Sequence, residues 1–110
     1  MQTFKIIMTD DAVEDLIEVK NYIADVLLAP DVALSYVRAV RKEIEKLETL
    51  PKKFKLVDDE PWHTRGIRKF MVKNFYVYYR VDEESQNVYI LNIIYAKRNQ
   101  LRVIKDMRID

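Results

Sequence analysis

The sequence predicts an α+β fold in which two helices form an antiparallel hairpin on one face of a largely antiparallel four-stranded sheet. Three observations carry this. Two stretches with helical apolar spacing meet at Pro30 and stop at Pro51. Two strand-like runs flank Lys73-Asn74, and residues 88–95 are almost wholly apolar. In chain order these give β-α-α-β-β-β, with an optional short helix at the C-terminal end.

Residues 3–8 alternate, with Phe4, Ile6 and Met8 on one side, as a half-buried strand does. Thr9-Asp10-Asp11 stops that strand and caps a helix, because side-chain oxygens accept from orphan N–H groups and acidic charge suits the positive end of the helix dipole. Asp11 and Glu14 have capping-box spacing. Val13, Leu16, Ile17, Ile23, Ala24 and Leu27 then follow a helical stripe, which predicts a first helix running to about Leu28. Pro30 breaks it. Asp31 opens a second helix with Ala33, Tyr36, Val37, Val40, Ile44 and Leu47 on one face, closed by Pro51.

Residues 52–65 have no period and read as an irregular connection containing Asp58-Asp59-Glu60, Pro61 and Trp62-His63. A β-hairpin follows, residues 67–72 and 75–81, joined at Lys73-Asn74, where Asn tolerates the positive φ of a tight turn. Its basic side chains are Arg68, Lys69, Lys73 and Arg80. After a polar turn over residues 82–87, the run 88–95 suits a central strand buried on both faces. Residues 96–110 can form the terminal helix, with Leu101, Ile104 and Met107 inward.

At 110 residues the chain fits one domain, and 49% apolar with 34% charged residues supports a folded core with a solvated surface. No disulfide framework exists without cysteine, and no apolar run approaches the length of a membrane span, so a cytoplasmic protein without membrane contact is expected. One histidine and no cysteine make a poor zinc set, one glycine makes no phosphate loop, and the acidic run 58–60 reads as a solvated loop. Neither metal nor cofactor is expected. The formal charge of +1 hides an asymmetry: residues 1–51 hold 6 Lys/Arg against 10 Asp/Glu, and residues 52–110 hold 13 against 8. The second half therefore carries the basic surface, suited to nucleic acid or an acidic partner.

Several motifs occur in order: Ala12-Val-Glu-Asp-Leu16, Tyr22-Ile23, Ala33 with Tyr36, Leu47 with Leu50-Pro51, Gly66-Ile-Arg-Lys-Phe70, Tyr78-Tyr79-Arg80-Val81 and Ile94-Tyr-Ala-Lys-Arg-Asn99. Together they resemble the RelE/ParE superfamily, the toxins of bacterial type II toxin–antitoxin modules, also called plasmid stabilisation proteins. The resemblance implies a growth-arresting protein held in check by a cognate antitoxin. It also implies one of two actions: inhibition of DNA gyrase by binding, as in ParE-like members, or ribosome-dependent mRNA cleavage, as in RelE-like members. An inactive antitoxin-binding domain is a third reading.

On the nuclease reading, Arg68, Lys69 and Arg98 are the candidate phosphate contacts, with His63, Tyr95 or Lys97 as proton carriers. On the gyrase reading, Arg68, Lys73, Tyr76, Lys97 and Arg98 face the target. RelE-like nucleases usually carry Arg after the aromatic residue at the position of Phe75, whereas this chain has Tyr76, which leans towards the ParE pattern. Arg80 reads as a strand residue paired with Asp or Glu, and Tyr36, Tyr78 and Tyr79 as packing residues. The antitoxin is expected on outer apolar positions of the helical hairpin, namely Val19, Val26 and Leu28, and on any open sheet edge. Such exposed positions imply poor solubility or a homodimer when the antitoxin is absent.

Overall fold

The computed structural model describes residues 3–26, of Val26 the backbone alone, and residues 28–96. Strand β1 is Lys5–Met8, followed by helix α1 (Asp10–Asn21), a π-helical turn (Tyr22–Val26) and helix α2 (Pro30–Glu45). Strands β2 (Ile67–Val72), β3 (Phe75–Asp82) and β4 (Asn87–Tyr95) complete the order. The sheet runs β1-β4-β3-β2, with β1 parallel to β4 and the other pairs antiparallel. The α+β architecture is the one expected, and β4 is the central strand that its apolar run predicts.

Helix α1 starts where the chain offers a cap. The Thr9 hydroxyl accepts from the Ala12 N–H at 3.2 Å and donates to the Ile90 carbonyl at 2.8 Å, so the cap also fastens the helix to β4. The helix ends earlier than its apolar stripe suggests. Its last regular residue is Asn21, and the backbone then widens into π geometry. The turn closes with the Ala29 N–H donating to the Ile23 carbonyl at 3.1 Å, while Leu28 takes a φ of +53°. A left-handed residue ends helical hydrogen bonding by turning the chain away from the axis. Helix α2 begins at Pro30 itself, one residue before the expected start, because the first helical position needs no N–H and suits the fixed φ of proline.

The inward face of α1 also differs from expectation. Ala12, Val19 and Ile23 are buried, whereas Val13 and Ile17 are 42% and 52% exposed. The helix is rotated so that Asp15 reaches β4. There, Tyr79 pairs with Ile90 and Tyr78 with Asn92, leaving Leu91 as an extra residue in a bulge. Asp15 Oδ2 accepts from the Ile93 N–H and from the Asn92 side-chain amide, both at 3.0 Å, thereby pairing donors beside the bulge. Burial pushes its carboxyl above the ordinary aspartate value, the two hydrogen bonds opposing that rise and the nearby Glu18 and Asp11 adding to it.

The sheet has a core on each face. Under the helices, Ala12, Val19, Val40, Ile44, Phe75 and Ile90 are among the buried residues. On the other face Val57 and Trp62 cover Ile67, Tyr78, Leu91 and Ile94. The segment 52–65 is irregular, as expected, yet it is bound to the sheet: the Val57 N–H donates to the Ile67 carbonyl at 2.9 Å, and Leu56 bridges Arg68. Gly66 leads back into β2 with a φ of +83°, a conformation that favours glycine. The β2–β3 turn has positive φ at both Lys73 and Asn74, the type I′ pattern that matches hairpin twist. The optional terminal helix lies outside the described residues.

Replacing Asp15 with Ala leaves the Ile93 N–H and the Asn92 amide without their acceptor, and is expected to cost about 1–3 kcal/mol in denaturant unfolding. Because the folded-state pKa of Asp15 is raised, the folded protein binds more protons than the unfolded chain between the ordinary value of 3.8 and the raised value. Its contribution to stability therefore falls as pH rises through that window and is constant above it. Subtracting unfolding free energies of Asp15→Asn from those of the parent across pH 3–7 isolates this slope from those of other carboxyls.

Candidate functional site

Strand alternation decides which candidate side chains meet. Along β2, Arg68 and Phe70 face the helices, while Ile67 and Lys69 face away. Arg68 donates from Nη1 to the Phe54 carbonyl at 2.7 Å, and Phe54 stacks on Phe70 with ring centres 4.6 Å apart. Arg68 thus ties the 52–65 segment to the sheet through a backbone carbonyl. Lys69 lies on the opposite face with Nζ 4.7 Å from the centre of the Tyr76 ring and 5.9 Å from that of Tyr78. Arg68 and Lys69, both candidate phosphate contacts on the nuclease reading, therefore point to opposite sides of the sheet.

The proton carriers are divided in the same way. His63 belongs to the segment covering the helix-free face, and its Nδ1 is 2.8 Å from the Val57 carbonyl. Since a carbonyl only accepts, this contact requires the proton on Nδ1. Tyr95 packs on the helix side, its ring centre 6.1 Å from Tyr22 and 5.2 Å from Phe75. Lys73 also lies on that side, 5.9 Å over the Tyr36 ring. Lys97 and Arg98 lie outside the described residues.

What the helix-free face does gather is a band of cations on aromatic rings. Besides Lys69 on Tyr76, the Arg80 guanidinium sits 5.0 Å from the centre of Tyr89, and that of Arg65 sits 5.4 Å from Trp62. Each ring offers its negative face to a cation and holds it near the surface. Arg80, expected in an ion pair, instead contacts an aromatic ring, with Asp82 close enough only to feel its charge. Sequence reasoning also left out Arg65 and Tyr89. Alternation was the available signal for Tyr89, since it pairs across the strands with Arg80; Arg65 lies in an aperiodic segment and had none. Tyr78 and Tyr79 are fully buried, as expected for packing residues, and burial pushes both hydroxyls up to about 12.

The helical hairpin presents a second surface. A groove of about 430 Å³ runs between α1, α2 and β1, lined by Ile6, Met8, Val13, Leu16, Ile17 and Val37, with Lys20, Arg41 and Glu45 at its margins. Beside it, β1 pairs with β4 and, among the described residues, with no other strand, so it forms an edge of the described sheet. Of the apolar residues expected on the outside of the hairpin, Leu28 is 82% exposed, but Val19 is 8% exposed and belongs to the core because α1 is rotated towards β4. The side chain of Val26 lies outside the described set. Among the described residues no helix is long and apolar enough to cross a membrane, and no group of acidic and histidine side chains is placed to hold a metal ion.

The Arg68 contact makes a structural prediction. Arg68→Ala removes the bond that anchors the Phe54 carbonyl and is expected to cost about 1–2 kcal/mol, measured by thermal or denaturant unfolding. Lys69→Ala, half-buried on the helix-free face, is expected to cost no more than about 1 kcal/mol.

No curated relative matches the sequence. Among solved structures, the fold resembles the chromosomal ParDE toxin–antitoxin system of P. aeruginosa, at 21% identity over 86% of this chain and 98% of the other, with a TM-score of 0.70. It also resembles the RelBE2 toxin–antitoxin complex of Mycobacterium tuberculosis, at 20% identity over 88% and 97% of the chains, with a TM-score of 0.62. A free-state mutant of the E. coli toxin RelE matches at 11% identity over 96% and 98%, with a TM-score of 0.64. At these identities the matches establish the fold alone. The family model described as the ParE toxin of the type II toxin–antitoxin system parDE matches residues 6–100, and the chain belongs to that toxin family.

Proposed function

We propose that this toxin arrests growth by binding its target, DNA gyrase, rather than by cutting RNA. The observation that carries this is the separation of the nuclease candidates: among the described residues, Arg68 and Tyr95 lie on the helix side of the sheet, and Lys69 and His63 on the other. Cleavage through a 2′-hydroxyl needs a base, an acid and a phosphate-charge stabiliser around one phosphate, within hydrogen-bond reach of the reacting atoms. A binding toxin needs only a contiguous surface of the right chemistry. Arg65, Lys69 and Arg80, resting on Trp62, Tyr76 and Tyr89 on one face of the sheet with Asp58 and Asp59 beside Lys69, offer a polar and aromatic surface for such binding.

The matched family supports an antitoxin as the second partner. Its landing area is the groove between α1 and α2, where Val13 and Ile17 stand exposed in place of the inward-turned Val19, and the adjoining edge of β1. An amphipathic helix fits such a groove, and an extended segment fits an open edge. The target surface and the antitoxin surface are then distinct. Antitoxin binding neutralises the toxin by hindering its approach or shifting its conformation, without occupying the basic band.

A supercoiling assay with purified gyrase tests the reading. The parent protein is expected to inhibit supercoiling or accumulate cleaved DNA, and Lys69→Ala/Arg80→Ala is expected to require roughly tenfold more protein, the equivalent of about 1.4 kcal/mol of lost binding. Unaltered gyrase activity, together with codon-linked cuts in toeprinting on translating ribosomes, would replace it with the mRNA-cleaving alternative. For the antitoxin surface, Ile17→Asp is expected to leave growth arrest intact while abolishing rescue by the co-expressed antitoxin; rescue at parental levels would remove the groove from the account.

A further inference from the structure

A third surface lies between α1 and the ends of β3 and β4. It is a cleft of about 270 Å³ lined by Asp15, Glu18, Val19, Tyr22, Phe75, Ile93 and Tyr95. Asp15, Glu18 and Tyr22 come from α1 and its π-helical continuation, Phe75 and Tyr95 come from the strands, and among the described residues the lining contains no Lys or Arg. Tyr22 and Tyr95 are tilted at 44° with centres 6.1 Å apart, and Phe75 continues the aromatic wall 5.2 Å from Tyr95. Tyr22 is 44% exposed at the point where α1 gives way to π geometry. Irregular helix turns of this kind often occur at functional sites because they re-aim side chains.

We infer that this cleft receives an arginine side chain from a partner polypeptide, its guanidinium lying against the Tyr22 and Tyr95 rings and its N–H groups donating to Glu18 and Asp15. A planar cation satisfies both kinds of lining group: it stacks on aromatic faces and presents several donors to carboxylates, whereas an ammonium does only part of this. Asp15 already accepts from Asn92 and Ile93 through Oδ2, so that oxygen is fixed in place before any ligand arrives. The Glu18 and Asp11 charges bear on Asp15 and disfavour its ionised form, a repulsion that an incoming cation relieves. The cleft is distinct from both the basic band and the apolar groove, and the inference holds whichever cellular target the toxin has.

N-acetyl-arginine amide titrated into the isotope-labelled full-length protein tests this by NMR. A saturable shift of the Tyr22, Ile93 and Tyr95 amides is expected, with affinity on the order of millimolar for a lone side chain. N-acetyl-citrulline amide, of similar shape but uncharged, is expected to produce none at the same concentrations. Glu18→Gln and Tyr22→Leu, each with an otherwise parental amide spectrum, are expected to weaken binding about threefold or more. An equal response to citrulline, shifts scattered over the acidic surface, or no shift at all overturns the inference. Binding that appears only in Lys97→Gln/Arg98→Gln also overturns it, since the occupant would then be the chain's own basic segment.

Discussion

Strand β4 is buried on both faces, and that constraint orders the molecule. Val88, Ile90 and Ile93 require a cover on one side and Leu91 and Ile94 on the other. The helical hairpin covers the first. The irregular 52–65 segment, through Val57 and Trp62, covers the second. Both of its sheet neighbours pair with it, so every other strand takes its register from β4 directly or through β3. The bulge at Leu91 shifts the alternation, so that Ile93 joins Val88 and Ile90 on the helix side and Ile94 joins Leu91 on the other, and Asp15 pairs the donors beside it.

The period of two that builds these cores also sorts the charged side chains. Arg68 and Lys69 are adjacent in sequence and opposite in space, one bound to a loop carbonyl and the other lying on rings. Tyr95 is placed with Tyr22 and Phe75 under the helix side, away from His63. The cations that share a face come from three elements, and each is backed by an aromatic ring that rests on the second core or belongs to it. A loop lacking regular structure is therefore part of the packed sheet, because it supplies Trp62 and Arg65 and buries the platform beneath Tyr76 and Tyr89.

Much of this was legible in the sequence. Apolar periodicity identified both helices and all strands, Lys73-Asn74 marked the hairpin, and the uninterrupted run at residues 88–95 identified the central strand. What periodicity missed was rotation. Both Val13/Ile17 and Ala12/Val19 are compatible with an apolar stripe on α1, and the choice falls to a long-range contact, Asp15 with β4, that no local pattern contains. The same limit applies to α1's end, where the π turn and the positive φ of Leu28 follow from closure onto Ile23. In the candidate site, residue types were readable and their company was not. Arg80 was read as an ion-pair member because its neighbour in register, Tyr89, lies nine positions further along the chain. Neither the loop contacts of Arg68 nor those of His63 had a periodic signal, since one partner of each lies in the aperiodic 52–65 segment.

The proposed gyrase-binding function rests on the division of the described nuclease candidates between two faces. Its most direct measurement is made in growing bacteria induced for the full-length chain, with gyrase-linked DNA breaks and mRNA 5′ ends mapped in the same cells. The account predicts covalent gyrase–DNA complexes accumulating as growth stops, with no new codon-phased mRNA ends. Codon-phased cuts appearing at arrest, without an increase in gyrase–DNA complexes, would contradict it.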